Sequence, residues 1–115
     1  MKRLVMLDAR ELRKVFLNLI SNALEAMDDE GSLTLRTRAV ERGFLETTVE
    51  DTGCGMSDET RARAFDLFFT TKDTGTGLGM AIARSVIEQH SGRIEIRSQI
   101  GRGTQVRVLL PVEAP

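Results

Sequence analysis

Apolar residues after Asp8 recur at helical spacing: Leu12, Phe16, Leu19, Ile20, Ala23 and Met27. Asp8 with Glu11 three residues on is a capping-box start, and Asp28-Asp29-Glu30-Gly31 stops the helix. The period then changes to two. Strand-like runs around Leu33 to Ala39 and Phe44 to Asp51 are joined near Glu41-Arg42-Gly43 as a hairpin. Ser57 or Asp58 is placed to cap a short helix reaching about Phe65. A second long helix is predicted from the glycine cluster near Gly79 to His90, with Gly92 as its stop. Ile94 and Ile96 alternate with Arg93, Glu95 and Arg97. Val106, Val108 and Leu110 alternate with Gln105, Arg107 and Leu109, a closing antiparallel pair turned at Gly101-Arg102-Gly103. Met1 to Leu7 read as a further edge strand. The elements predict an α+β fold: a two-layer α/β sandwich, its mixed, mainly antiparallel sheet of about five strands carrying three helices on one face. Residues 1–115 are expected to form a single domain.

Composition narrows the function. Hydrophobic residues make up 41% and charged residues 29%, a folded and soluble balance. A chain of this length removes roughly two-thirds of its unfolded surface from water, so it needs no disulfide or metal staple. Seventeen acidic against sixteen basic residues leave no basic excess for nucleic acid or an anionic membrane surface. The absence of Trp and Tyr argues against a stacking platform for single strands. No apolar run approaches a bilayer span, and no signal-peptide pattern is visible. A single cysteine, Cys54, fits a reducing cytoplasm.

Three segments carry candidate chemistry. Asn18 and Asn22 lie one turn apart beside the apolar stripe, offering two amide oxygens to a hard cation such as Mg²⁺. Taken alone, the plainer reading as surface or capping amides prevails. In Asp51-Thr52-Gly53-Cys54-Gly55-Met56, Asp51 ends a strand row of Leu45, Thr47 and Val49. If that row is core, a base with an exocyclic amine would satisfy the carboxylate and lie against Gly53 and Gly55. An ordinary Asx turn explains the segment equally well. Gly75-Thr76-Gly77-Leu78-Gly79-Met80 opens a helix, where unpaired N–H groups wrap phosphate. It lacks the Lys of a P-loop, and its third glycine comes one residue early for a dinucleotide fingerprint, although Glu95 sits where a ribose acid would.

In order, Asn18-Leu-Ile-Ser-Asn22, Asp51-Thr-Gly-Cys-Gly55, Phe65-Asp-Leu-Phe-Phe-Thr-Thr-Lys72, Gly75-Thr-Gly-Leu-Gly79 and Gly101-Arg-Gly-Thr104 resemble the boxes of sensor histidine kinase catalytic domains. The resemblance covers about Asp8 to Pro111. It implies the fold shared with gyrase, Hsp90 and MutL ATPases, with ATP held between helices and a lid. It also implies that Asn22 binds Mg²⁺, with Asn18 facing the phosphates or the metal's waters, and that Asp51 reads the adenine amino group in a pocket shaped by Gly53 and Gly55. Thr104 corresponds to a hydroxyl in the water network around adenine. Gly75, Thr76, Gly77, Leu78 and Gly79 match the phosphate-wrapping end of the lid. Phe65, Phe68 and Phe69 match rings that brace the lid or serve as plain core. Lys72 reads as a phosphate contact or a solvated lysine. The lid between Phe69 and Gly75 is short, as in the nitrogen-regulator branch. Glu25 and Ala26 depart from the lysine and aromatic of many members, which implies no adenine stacking from that helix and less cationic help at the phosphates.

Gyrase-like ATPases and anti-sigma serine kinases carry a glutamate where this sequence has Asn18, and an amide is no base at neutral pH. A histidine acceptor needs no base. The resemblance therefore implies phosphoryl transfer from Mg-ATP to a histidine on a helical dimerisation domain of the same kinase, with a response regulator downstream. His90, the sole histidine, matches a cap or core position rather than the acceptor, and Cys54 reads as a small filler. The chain is thus expected to be the ATP-binding half. The alternatives are an inactive nucleotide-binding regulatory module, an anti-sigma-type serine kinase and a dinucleotide oxidoreductase.

Overall fold

The computed structural model describes residues 7–28, 30–67, 69 and 79–112. Helix α1 runs Ala9–Met27 and is capped by Asp8, whose carboxylate accepts from the amides of Arg10 and Glu11. Strands β1 (Leu33–Val40) and β2 (Phe44–Asp51) are joined by a 3₁₀ turn, Glu41–Gly43. Helix α2 is shorter than the pattern predicts, Asp58–Ala62, with Ser57 as its cap. Helix α3 spans Gly79–Gln89, and β3 (Arg93–Gln99) and β4 (Gly103–Pro111) close the fold.

Among the described residues the sheet has four strands in the order β1-β2-β4-β3, and every neighbour is antiparallel. The expected edge strand at Met1 to Leu7 falls almost wholly outside the described residues. The antiparallel order is not that of a doubly wound dinucleotide fold. Period-2 alternation sends Val49, Val106, Val108 and Leu110 to one face, where they meet Val15, Leu19 and Ala23 of α1 and Ala83, Val86 and Ile87 of α3. The buried stripe of α1 is thus Val15-Leu19-Ala23. Leu12 and Phe16 pack partly against it.

The opposite sheet face is polar and organised by charge. Glu46, only 7% exposed, takes Arg38 at 2.9 Å and Arg107 at 3.5 Å. Arg107 also pairs with Glu95. Glu95 is therefore engaged in a cross-strand ion pair on the face away from the helices, which removes it as a ribose ligand.

The capping box is only half made. Asp8 N–H is taken by His90 Nε2 at 2.9 Å instead of by Glu11. Because that ring nitrogen accepts, Nδ1 carries the proton and donates to the Val86 carbonyl at 2.7 Å. His90 so ties the end of α3 to the start of α1, a capping role.

Candidate functional site

Asp51 ends β2, in register with Leu33 on β1 and Thr104 on β4. It is 6% exposed and has no cationic partner among the described residues. One oxygen, Oδ1, accepts from Gly53 N–H at 2.9 Å, so the Asx turn is real. The second oxygen has no protein donor among the described residues. The turn and a ligand can therefore share one carboxylate.

The loop after Asp51 is fixed by its backbone. Cys54 N–H donates to the Ala26 carbonyl at 3.0 Å, satisfying a helix-end acceptor of α1. Gly53 lies so close to Ala26 that a Cβ would overlap its carbonyl. Gly101 N–H donates to the Cys54 carbonyl at 2.8 Å, and Met56 N–H to Ser98 Oγ at 2.7 Å. At Gly55 (φ 70°) and Gly103 (φ 95°) the backbone is left-handed, and a Cβ would strike the carbonyls of Gln99 and Asp51 respectively. Cys54 itself is exposed. It fills nothing, contrary to the expectation, because the loop turns its side chain outward while using its N–H and carbonyl.

Helix α1 spans the distance from this loop to Gly79 at the start of α3. Ala26 receives the loop, Asn22 stands one turn earlier and Asn18 two turns earlier, about 6 and 12 Å along the axis. At its far end Asn18 meets the start of α3: a Cβ at Gly79 would come within 2.5 Å of Asn18 Oδ1, and Asn18 Nδ2 lies 3.9 Å from Met80 Sδ. Gly79 thus serves close packing of α3 on the Asn18 amide. Both asparagines are half-buried.

Lys72, Gly75, Thr76, Gly77 and Leu78 lie outside the described residues, as does Phe68. Phe65 and Phe69 are half-buried and stand apart from the core cluster. Each ring is faced by a guanidinium, Arg84 of α3 at 5.3 Å from Phe65 and Arg63 at 4.4 Å from Phe69. The Arg84 contact joins the segment before the glycine run to the helix after it.

Thr104 faces the same side as Asp51, and its hydroxyl lies 2.8 Å from Ser98 Oγ. Ser98 is the residue that the motifs miss. Its only signal was the alternation of Ile94 and Ile96, which continues to it on the helix-facing side.

This arrangement of a buried acid on a glycine-bounded loop, a polar helix face and a glycine-opened α3 has known counterparts. A family model described as "Histidine kinase-, DNA gyrase B-, and HSP90-like ATPase" matches residues 7–114. The chain belongs to that family. The sensor protein FixL of Bradyrhizobium diazoefficiens is 40% identical over 110 residues, which are 94% of this chain and 22% of FixL. Sporulation kinase E of Bacillus subtilis is 35% identical over 105 residues, 91% of this chain and 14% of that protein. The chain spans less than a quarter of the length of these two relatives. The mycobacterial sensor histidine kinase MprB superposes with a TM-score of 0.85 at 28% identity, covering 96% of this chain and 76% of that structure. Full-length ShkA, solved in complex with AMPPNP, gives 0.81 at 30% identity, covering 91% of this chain and 22% of that one.

In this histidine kinase- and gyrase-like domain, the described residues hold no group of three His, Cys, Asp or Glu able to bind a metal. Among the described residues, the candidate donors beside the site are the amides of Asn18 and Asn22. So sparse a set suits a cation that keeps most of its waters and takes phosphate oxygens, and does not suit a zinc or calcium cage. No described helix is long and apolar enough to cross a membrane.

Proposed function

We propose that this domain binds Mg-ATP and donates the γ-phosphoryl group to a histidine on a separate helical dimerisation domain, in cytoplasmic two-component signalling. One observation carries the reading. Asp51 is a buried carboxylate with an oxygen to spare, and its loop is fastened to α1 at Ala26, one turn from Asn22 and two from Asn18. Asp51 takes the adenine amino group, with Thr104 beside it. Asn22 would hold the magnesium ion through its amide oxygen, and Asn18 would orient the phosphates or the ion's waters. The ion, when bound, supplies neutralisation of developing phosphate charge. Residues 75–79, with Lys72, wrap the phosphates from the lid side.

Asn18 cannot take a proton from water or a serine hydroxyl, whereas a neutral imidazole presents a ready lone pair. Transfer then reduces to alignment and charge neutralisation, with the γ-phosphoryl group moving in line from its bridging oxygen to the imidazole nitrogen. His90 is no substitute acceptor, since both of its ring nitrogens are engaged. A response regulator would receive the group afterwards.

The decisive experiment mixes the chain with a separate helical phosphoacceptor domain, Mg²⁺ and γ-labelled ATP. Acid-labile, base-stable label on the partner is expected. Acid-stable label would point to a serine kinase. Binding of ATP with no transfer to any acceptor domain would leave a nucleotide-sensing module.

A further inference from the structure

Ser98 has no part in the reading above, yet it sits at the base end of the proposed nucleotide site. Its β3 position pairs with Thr104 on β4, which pairs with Asp51 on β2. Alternation puts all three on the helix-facing side, two residues beyond Ile96, Val106 and Val49. They form one polar row at the sheet's end.

The Ser98 hydroxyl makes three close contacts: Met56 N at 2.7 Å, the Gly103 carbonyl at 3.0 Å and Thr104 Oγ1 at 2.8 Å. It owns one hydrogen and two lone pairs. Met56 N–H can only donate, so it uses one lone pair. The Gly103 carbonyl can only accept, so it takes the hydrogen. The third contact is a hydrogen bond only if Thr104 donates into the remaining lone pair. Thr104 is then left with lone pairs alone for the site, beside the acceptor Asp51. Two adjacent acceptors attract an amino group, directly or through water, and repel a carbonyl.

We propose that Ser98 is a positioning residue that fixes the polarity of the base end, favouring a 6-amino purine over a 6-oxo purine through the orientation of Thr104. The inference rests on the nucleotide-binding reading. Ser98 does so without touching the base, and the same hydroxyl anchors the Asp51 loop through Met56.

The test measures binding of Mg-ATP and Mg-ITP, which differ in the 6-amino and 6-oxo groups, to the parent chain and its variants, with urea midpoints as the check on folding. Ser98→Ala is expected to weaken ATP by about two- to tenfold, the worth of one or so hydrogen bonds. ITP should lose less, because the released Thr104 hydroxyl can turn to donate to the 6-oxo group. The ITP-to-ATP ratio of dissociation constants therefore falls by about threefold or more. Ser98→Thr should restore it, and in a Thr104→Val background Ser98→Ala should leave it unmoved. If Ser98→Ala does not fold, Ser98→Cys keeps the volume, weakens the bonds and should lower the ratio in the same way. Equal losses for both nucleotides would overturn the proposal and leave Ser98 a plain structural link. A parent chain that binds neither nucleotide would overturn the nucleotide reading itself, and this inference with it.

Discussion

Asp51 combines burial with an incomplete set of partners, and its replacement separates ligand binding from folding. Asp51→Ala should weaken Mg-ATP binding by about a hundredfold or more, as calorimetry would show, because a charged hydrogen bond to the base is lost. The fold should survive, since only the turn bond to Gly53 goes with it. Binding within about threefold of the parent would remove the base-reading role. Gly103→Ala tests the opposite kind of residue. Its Cβ would drive into the Asp51 carbonyl at a left-handed backbone position, so about 2–4 kcal/mol of unfolding free energy should disappear in urea titrations. At Asn18, replacement by glutamate introduces a base one turn from Asn22. Asn18→Glu should give slow ATP hydrolysis where the parent gives almost none. Rapid turnover by the parent would contradict the assignment of Asn18 as a non-base. At this scale the positions of Asp51, closing a core-facing strand row, and of Asn18 and Asn22, one turn apart on α1, were visible in one dimension, while the choice of the roles proposed for them came from the resemblance alone. Ser98 was not readable, since its partners come from two stretches of chain, the loop at Met56 and the start of β4 at Gly103 and Thr104, that meet only in the fold. The outward turn of Cys54 was hidden for the same reason: loop orientation is decided by the carbonyl of Ala26 and the amide of Gly101.

The two long helices are held by unlike devices. At one meeting point Gly79 lets α3 press on the Asn18 amide, and at another His90 joins the end of α3 to the amide of Asp8, the cap of α1. His90→Ala should cost about 1 kcal/mol of stability by denaturant titration, with fraying at the start of α1 seen in faster amide exchange. No change at either readout would reduce the link to an incidental contact. The sheet's polar face makes a parallel case. Removing Arg107 strands the nearly buried Glu46 with Arg38 alone, so Arg107→Ala should cost about 1–3 kcal/mol, and pairing it with Glu46→Leu should recover part of that loss. Strand and helix limits followed closely from period and turn residues, as in β2, whose Phe44–Asp51 span agrees with the alternation. Helix α2 stopped early, at Ala62, because the chain turns through successive bonds from Arg63 N–H to Thr60 O and Ala64 N–H to Arg61 O. Half a capping box was read as a whole one, because only the tertiary fold brings His90 to Asp8.

For the molecule as a whole, the proposed binding surface lies at one end of an antiparallel sheet, with α1 packed on that sheet between the Asp51 loop and Gly79. Sheet order and the all-antiparallel pairing emerged only in three dimensions, because alternation marks strands without naming their neighbours. The order of the boxes along the chain made the family readable before the geometry did. Cys54, Gly55 and Met56 touch their surroundings through main-chain bonds and close backbone contact, so the loop beside Asp51 is set before any ligand arrives. A loop set in advance asks little further ordering when a ligand binds. Flat heteroaromatic amines with no phosphate at all should therefore register as weak fragment hits there, which makes this end of the domain the natural starting point for an inhibitor.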